Sequence, residues 1–277
     1  MVRKVVVAML LLGLLTGCMA KFSYGFADWV IEWMITDYVS LDKAQKKQLK
    51  KTIDKQLAWH KETQLPRYRD WLIEFRVQTE TGLNRQWLIS WSEQLTVFWQ
   101  DLALQINPDT IAFLRSLSDA QVEELIAKLD ESQLELAEEY LDPDEDKRLA
   151  ERAERTEDFT SELLGKLNQQ QKGLIAQWNA NSGDSTKLWM ENRERWTRRF
   201  ERALQGRSGD QFADEITLLF VYQEQLWSEQ YQQSIERNFN SGINLVLAIE
   251  PTVSDKQRKK LYKLLDKWIA VLDDLSK

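Results

Sequence analysis

Few side chains in this sequence could do chemistry. Among 277 residues there is one cysteine, Cys18, and one histidine, His60. A Cys/His zinc site needs four such ligands and a disulfide needs two thiols, so both are excluded, as is any Cys-His dyad once Cys18 is modified. His60 stands in Trp59-His60-Lys61-Glu62-Thr63-Gln64-Leu65-Pro66-Arg67-Tyr68. As the sole imidazole it could act as a general base or sense acidification, but a lone His between Trp and long polar residues reads first as a packed side chain. Asp142, Asp144, Glu145, Asp146, Glu151, Glu154, Glu157 and Asp158 form a carboxylate run at helical spacing. Without the Gly and regular ligand spacing of a calcium loop, they read as a solvated face. Arg193, Arg195, Arg198, Arg199, Arg202 and Arg207 alternate with Trp189, Trp196 and Phe200, a pattern that could grip sugars or phosphates. The near-heptad spacing of the aromatics assigns them to a core and the arginines to water or to the acidic run.

Cys18 has the most informative context. Arg3 and Lys4 precede an apolar run from Val5 to Leu15, eleven residues that are too few to span a bilayer and suit a signal-peptide core. The run ends in Leu15-Thr16-Gly17-Cys18, which resembles the lipobox of bacterial lipoproteins. That resemblance implies cleavage before Cys18 and acylation of its thiol and amine. A covalent lipid on Cys18 is then the only attached group expected, with no cofactor and no metal. Met19, rather than Asp, follows the cysteine, which in this class implies the periplasmic face of the outer membrane. Loss of residues 1–17 removes two positive charges and takes the net charge from −7 to −9, which argues against nucleic acid as a partner and against non-specific adhesion to anionic headgroups.

The elements that must position these residues are helical. Ten Gly and four Pro are too few to punctuate a sandwich or an alternating α/β fold, and no stretch alternates with period two. The predicted fold class is all-α, an elongated multi-helix bundle after the cleaved signal peptide. Residues 18–27 form a short tether. The helical body covers 28–277, either as one body or as two subdomains with a hinge near 142–145. Helices are predicted over 28–38, 40–82 with a kink or break at Pro66, 84–107, 118–141, 143–166, 169–180, 185–205, 210–236 and 254–275. Asn107-Pro108 and Asp142-Pro143 are read as helix starts, a cap followed by Pro at the first position, and Gly242 as a connection. Pairs such as Trp29 and Trp33, Trp87 and Trp91, and Trp189 and Trp196 are read chiefly as packing residues, with a minority of the twelve Trp left to a groove or to lipid near the tether.

One pattern recurs four times. Leu41-Asp42-x-x-Gln45, Leu117-Ser118-x-x-Gln121, Leu167-Asn168-x-x-Gln171 and Val253-Ser254-x-x-Gln257 each place Leu or Ile four positions after the Gln. This is capping-box chemistry: the Asp, Ser or Asn oxygen accepts a first-turn N–H, and Gln reaches back to the cap's own N–H. The copies are too irregularly spaced for a stacked solenoid. They also resemble the Leu-Thr-x-x-Gln motif of small periplasmic stress chaperones, although no copy carries Thr. With the lipobox and the Trp-rich first helix, the Trp59-His60 and Leu65-Pro66-x-Tyr68 segment resembles an uncharacterised family of all-helical bacterial lipoproteins, for which a fold and a location are implied but no activity.

Three readings of function stand at this point. The first is a lipid-anchored periplasmic binding or scaffolding protein, joined to the membrane by its lipid and to an envelope protein partner. The second is a membrane-tethered chaperone, and the third a cell-wall or lipid-modifying enzyme. For the third, Glu131-Ser132 matches only two letters of the lytic transglycosylase pattern, and Leu134-Glu135-Leu136-Ala137-Glu138-Glu139 simply continues a helix. No catalytic constellation is recognisable.

Overall fold

A computed structural model describes residues 24–141 and 144–277. Leu15, Thr16, Gly17 and Cys18 therefore lie outside the described residues. The described chain is all-α, with no strand among its elements. It divides into two compact units, one of residues 24–82 and 261–277 and one of the described residues from 83 to 260. The segment 142–145 falls inside the second.

The first unit contains α1 (Ala27–Thr36), α2 (Lys43–Trp59), a π-helical segment (His60–Gln64) and α3 (Leu65–Thr81), together with the later part of α11 (Asp255–Leu275). Its core is small: Val39, Leu49, Ile53, Leu65 and Leu265 are buried, with Gln64 and Thr79. From α3, Arg69 pairs with Asp273 at 3.0 Å and the Arg76 guanidinium lies 3.4 Å from the ring centre of Tyr262, so α3 and α11 meet through charge and stacking as well as burial. Gly82 closes α3 at φ +97°, a left-handed conformation that the missing Cβ permits.

The predicted break at Pro66 takes a specific form. The Leu65 N–H bonds to the His60 carbonyl five residues back, so the helix widens for one turn and continues through Pro66 in the first turn of α3. A proline cannot donate to the ladder and crowds the turn before it, and a π turn is one way for a helix to absorb that without ending.

The second unit contains α4 (Arg85–Arg115), α5 (Asp119–Leu141), α6 (Glu145–Leu164), α7 (Gln169–Asn181), α8 (Thr186–Gln205), α9 (Phe212–Phe220), a 3-10 turn (Gln223–Leu226), α10 (Glu229–Ile249), a second 3-10 turn (Glu250–Thr252) and the start of α11. Leu204, Ile216, Leu219 and Val221 are almost fully buried. Around them Trp196 stacks on Phe200 and meets Phe220 edge-on, and its Nε1 donates to the Leu219 carbonyl at 2.9 Å. This satisfies the one polar atom of a packed indole.

Three predicted boundaries are corrected. Asn107-Pro108 does not start a helix: α4 runs through it, with Asn107 buried and its Nδ2 donating to Thr217 on α9 at 2.8 Å. Interhelical pairing of Asn107 has overridden the local preference of Asn-Pro for a boundary. Residues 210–236 are not one helix; α9 ends at Phe220, and α10 runs on to Ile249 with Gly242 in its interior. The start of α6 lies two residues beyond the Asp142-Pro143 expectation, where Asp144 accepts from the Lys147 N–H at 2.8 Å; Asp142 and Pro143 lie outside the described residues.

Candidate functional site

His60 opens the π turn and is packed between two phenols. The Tyr24 ring stacks on it at 6.0 Å and the Tyr68 ring meets it edge-on at 5.6 Å. The Tyr24 hydroxyl is 3.1 Å from His60 Nδ1 and 3.5 Å from the Leu57 carbonyl. Burial pushes the His60 ring down to about 4 and the Tyr24 phenol up to about 12, because neither charged form is solvated there. Both groups are neutral through the physiological range, and Nδ1 accepts the phenol proton when the ring carries its own on Nε2.

The rest of the segment serves the turn itself. Thr63 Oγ1 donates to the Trp59 carbonyl at 2.8 Å, while buried Gln64 receives the Arg67 guanidinium at 3.1 Å and donates to Thr63 Oγ1 at 3.3 Å. Leu65 is buried, and Pro66 stands in the first turn of α3. Trp59, His60, Leu65, Pro66 and Tyr68 thus lie on the π turn and its flanks, and of them His60 receives Tyr24. A base with a pKa near 4, capped by a phenol, is poorly suited to abstracting protons at neutral pH. Tyr24 itself was not legible, since nothing in its spacing links it to a residue 36 positions on.

All four boxes form. Asp42, Ser118, Asn168 and Ser254 accept from the N–H of Gln45, Gln121, Gln171 and Gln257 respectively, and each Gln Oε1 accepts from its cap's N–H at 2.9 to 3.1 Å. The third and fourth do more. Gln171 and Gln257 are buried and exchange reciprocal amide bonds at 3.1 and 2.9 Å. Gln171 also donates to the Thr252 carbonyl and Gln257 to the Lys166 carbonyl, each five residues before the other box's Gln. Two helix starts are locked face to face in a local pseudo-two-fold, a pairing to which the recurrence of the motif was the only signal.

Three of the six arginines of the cluster pair with carboxylates. Arg199 pairs with Glu215, Arg198 with Glu194, and Arg207 with Asp119 and the Leu117 carbonyl at 3.0 Å. In the acidic run, Glu157 meets Lys172 at 2.6 Å. Arg148 nearby binds Asp184 through two nitrogens at 2.8 and 2.6 Å. Burial works to raise the Asp184 carboxyl, but Thr186 and Arg148 outweigh it and hold the group below its ordinary value. Glu131 pairs with Lys128 on an exposed face of α5. Among the described residues, no three His, Cys, Asp or Glu side chains are grouped to hold a metal ion, and no helix is long and apolar enough to cross a membrane.

The second unit also carries an open cleft of about 580 Å³ between α4, the first 3-10 turn and α10. Trp227, Ile235 and Phe239 supply apolar lining, and Glu93, Glu224 and Glu236 supply carboxylates. A depression of about 550 Å³ shares Glu236 and is lined by the amides of Asn181, Gln233, Asn240 and Asn244. No motif marked this region.

The profile of a family described as Family of unknown function (DUF6279) matches residues 37–232. No curated protein and no solved structure matches the chain.

Proposed function

The chain belongs to that family of unknown function, and from this premise we propose that it is a lipid-anchored binding or scaffolding protein of the bacterial cell envelope, held by acyl chains on Cys18 at the periplasmic face of the outer membrane. The observation that carries the reading is the Leu15-Thr16-Gly17-Cys18 box followed, six residues on, by Tyr24 already fastened to His60. Six residues reach at most roughly 20 Å, so an acylated Cys18 keeps the first unit close to the bilayer surface. Such a chain works by binding rather than by catalysis: its one imidazole is spent on the tether, and the open cleft beside Trp227 and Phe239 offers aromatic and carboxylate contacts to a partner.

Crosslinking in intact cells, followed by capture of the lipidated protein, tests this, with Cys18→Ser as the control. One discrete envelope partner, lost when Cys18→Ser moves the chain from the membrane to the soluble fraction, is the expected result. Membrane association unchanged by Cys18→Ser would overturn the anchor. A diffuse set of unrelated clients, with suppression of their aggregation, would replace scaffolding by the chaperone reading.

A further inference from the structure

The first helix leaves part of its apolar surface uncovered by its own unit. Trp29 and Trp33 are 62% and 56% exposed, and Phe26, just ahead of α1, is 47% exposed. At 100° per residue these three fall within about 60° of one another, a single aromatic stripe along the outer face. The rest of α1, apolar Val30, Ile31, Met34 and Ile35 as well as Asp28 and Glu32, is half-buried. The other paired tryptophans behave differently: Trp87 and Trp91 stack on each other, and Trp196 is locked to the Leu219 carbonyl.

We infer that the Phe26, Trp29 and Trp33 stripe is a membrane-contact surface, inserting into the headgroup boundary of the bilayer that holds the chain. Two facts choose lipid over a protein partner. Phe26 is eight residues from Cys18, at most roughly 28 Å of extended chain, so the stripe lies within reach of the surface that the acyl chains enter. Next to it, α2 carries Lys43, Lys46, Lys47, Lys50, Lys51 and Lys55 against only Asp42 and Asp54, all exposed. A basic helix beside an aromatic stripe, in a chain of net charge −7, is the segregation that anionic headgroups select. Indoles suit this depth because the ring is apolar and its N–H reaches water or phosphate. The acyl chains on Cys18 suffice to hold the chain at the bilayer, and the stripe adds contact area that orients the first unit on it.

The inference rests on the lipid-anchored reading for its biological meaning but is tested without the lipid. The mature chain carrying Cys18→Ser, which bears no acyl group, is floated with vesicles of phosphatidylethanolamine and phosphatidylglycerol. It should float with them, and less with vesicles of phosphatidylcholine alone. Trp29→Ser/Trp33→Ser should lower partitioning by roughly tenfold, while Trp29→Phe/Trp33→Phe retains most of it. Both positions are exposed, so an unchanged thermal midpoint shows that the variants remain folded. Absence of flotation, equal flotation of the Ser variant, or a dimer that the Ser variant dissociates would overturn the inference, the last assigning the stripe to a second copy. Because the acyl anchor is read in cells by Cys18→Ser fractionation and the stripe by vesicle flotation, failure of one result leaves the other standing.

Discussion

At the scale of single residues, His60 and the Gln171–Gln257 pair show how burial decides what a polar group does. His60 has a folded-state pKa near 4 against 6.5 for a free imidazole, so the folded chain favours the neutral ring. The unfolded chain binds more protons between those values, and stability rises with pH across that window. The contribution is fully present above about pH 6.5 and is lost as pH falls toward 4, for a total of about 3 kcal/mol. His60→Phe keeps a ring between Tyr24 and Tyr68 but cannot titrate. Urea unfolding of both proteins at intervals from pH 7.5 to 4 should show the wild type falling faster than the variant; parallel curves would mean that His60 is not buried as a neutral base. The glutamines give a second prediction. Gln257→Leu leaves the buried Gln171 amide short of a partner and should cost about 1–3 kcal/mol, whereas Gln171→Leu/Gln257→Leu should cost clearly less than the sum of the single changes. A strictly additive cycle would show that the two amides do not meet.

At the scale of elements, the boxes and the prolines divide what was legible from what was not. The four boxes were readable because capping chemistry is local: Asp42 and Gln45 need only each other and the first turn of α2. The pairing of the third and fourth boxes was not readable, since it depends on a separation of 86 residues that no local signal encodes. Pro108 fails as a boundary marker for the same reason in reverse, whereas Pro66 does mark an interruption. At Pro66 the helix keeps going by widening into a π turn, and at Pro108 the Asn107 to Thr217 bond holds α4 against α9 through the proline. If Pro108 is interior, Pro108→Ala restores a donor to an exposed helix position and should stabilise the protein by about 1–3 kcal/mol in thermal or urea unfolding. A neutral or destabilising result would return Pro108 to the first position of a new helix, where its fixed φ is an advantage. The exposed Trp29 and Trp33 escaped in a similar way: their i, i+4 spacing reads the same whether the stripe faces a core or a membrane.

At the scale of the molecule, the all-helical class followed from how little Gly and Pro the chain contains, but the grouping of its helices did not. Periodicity tells which face of a helix is apolar and not which distant helix covers it, so nothing in α11 announced that it completes the unit containing the chain's beginning. That grouping has an energetic consequence. Among the described residues the first unit has only a handful of buried apolar side chains, including Leu49, Ile53, Leu65 and, from the end of the chain, Leu265. A core so small is sensitive to any one of them, and Leu265→Ala should cost about 2–5 kcal/mol. The loss should also be local. Hydrogen exchange should accelerate in α2 and α3, whose amides lie some 180 residues or more from the substitution, while α8 and α9, around Leu204 and Ile216, keep their protection. Uniform acceleration across the whole chain would instead mean that the two units unfold as one cooperative body. With the expected outcome, α2, α3 and the end of the chain's last helix share one small core, so an event at the C-terminus can loosen the unit that holds Tyr24 without unfolding the cleft.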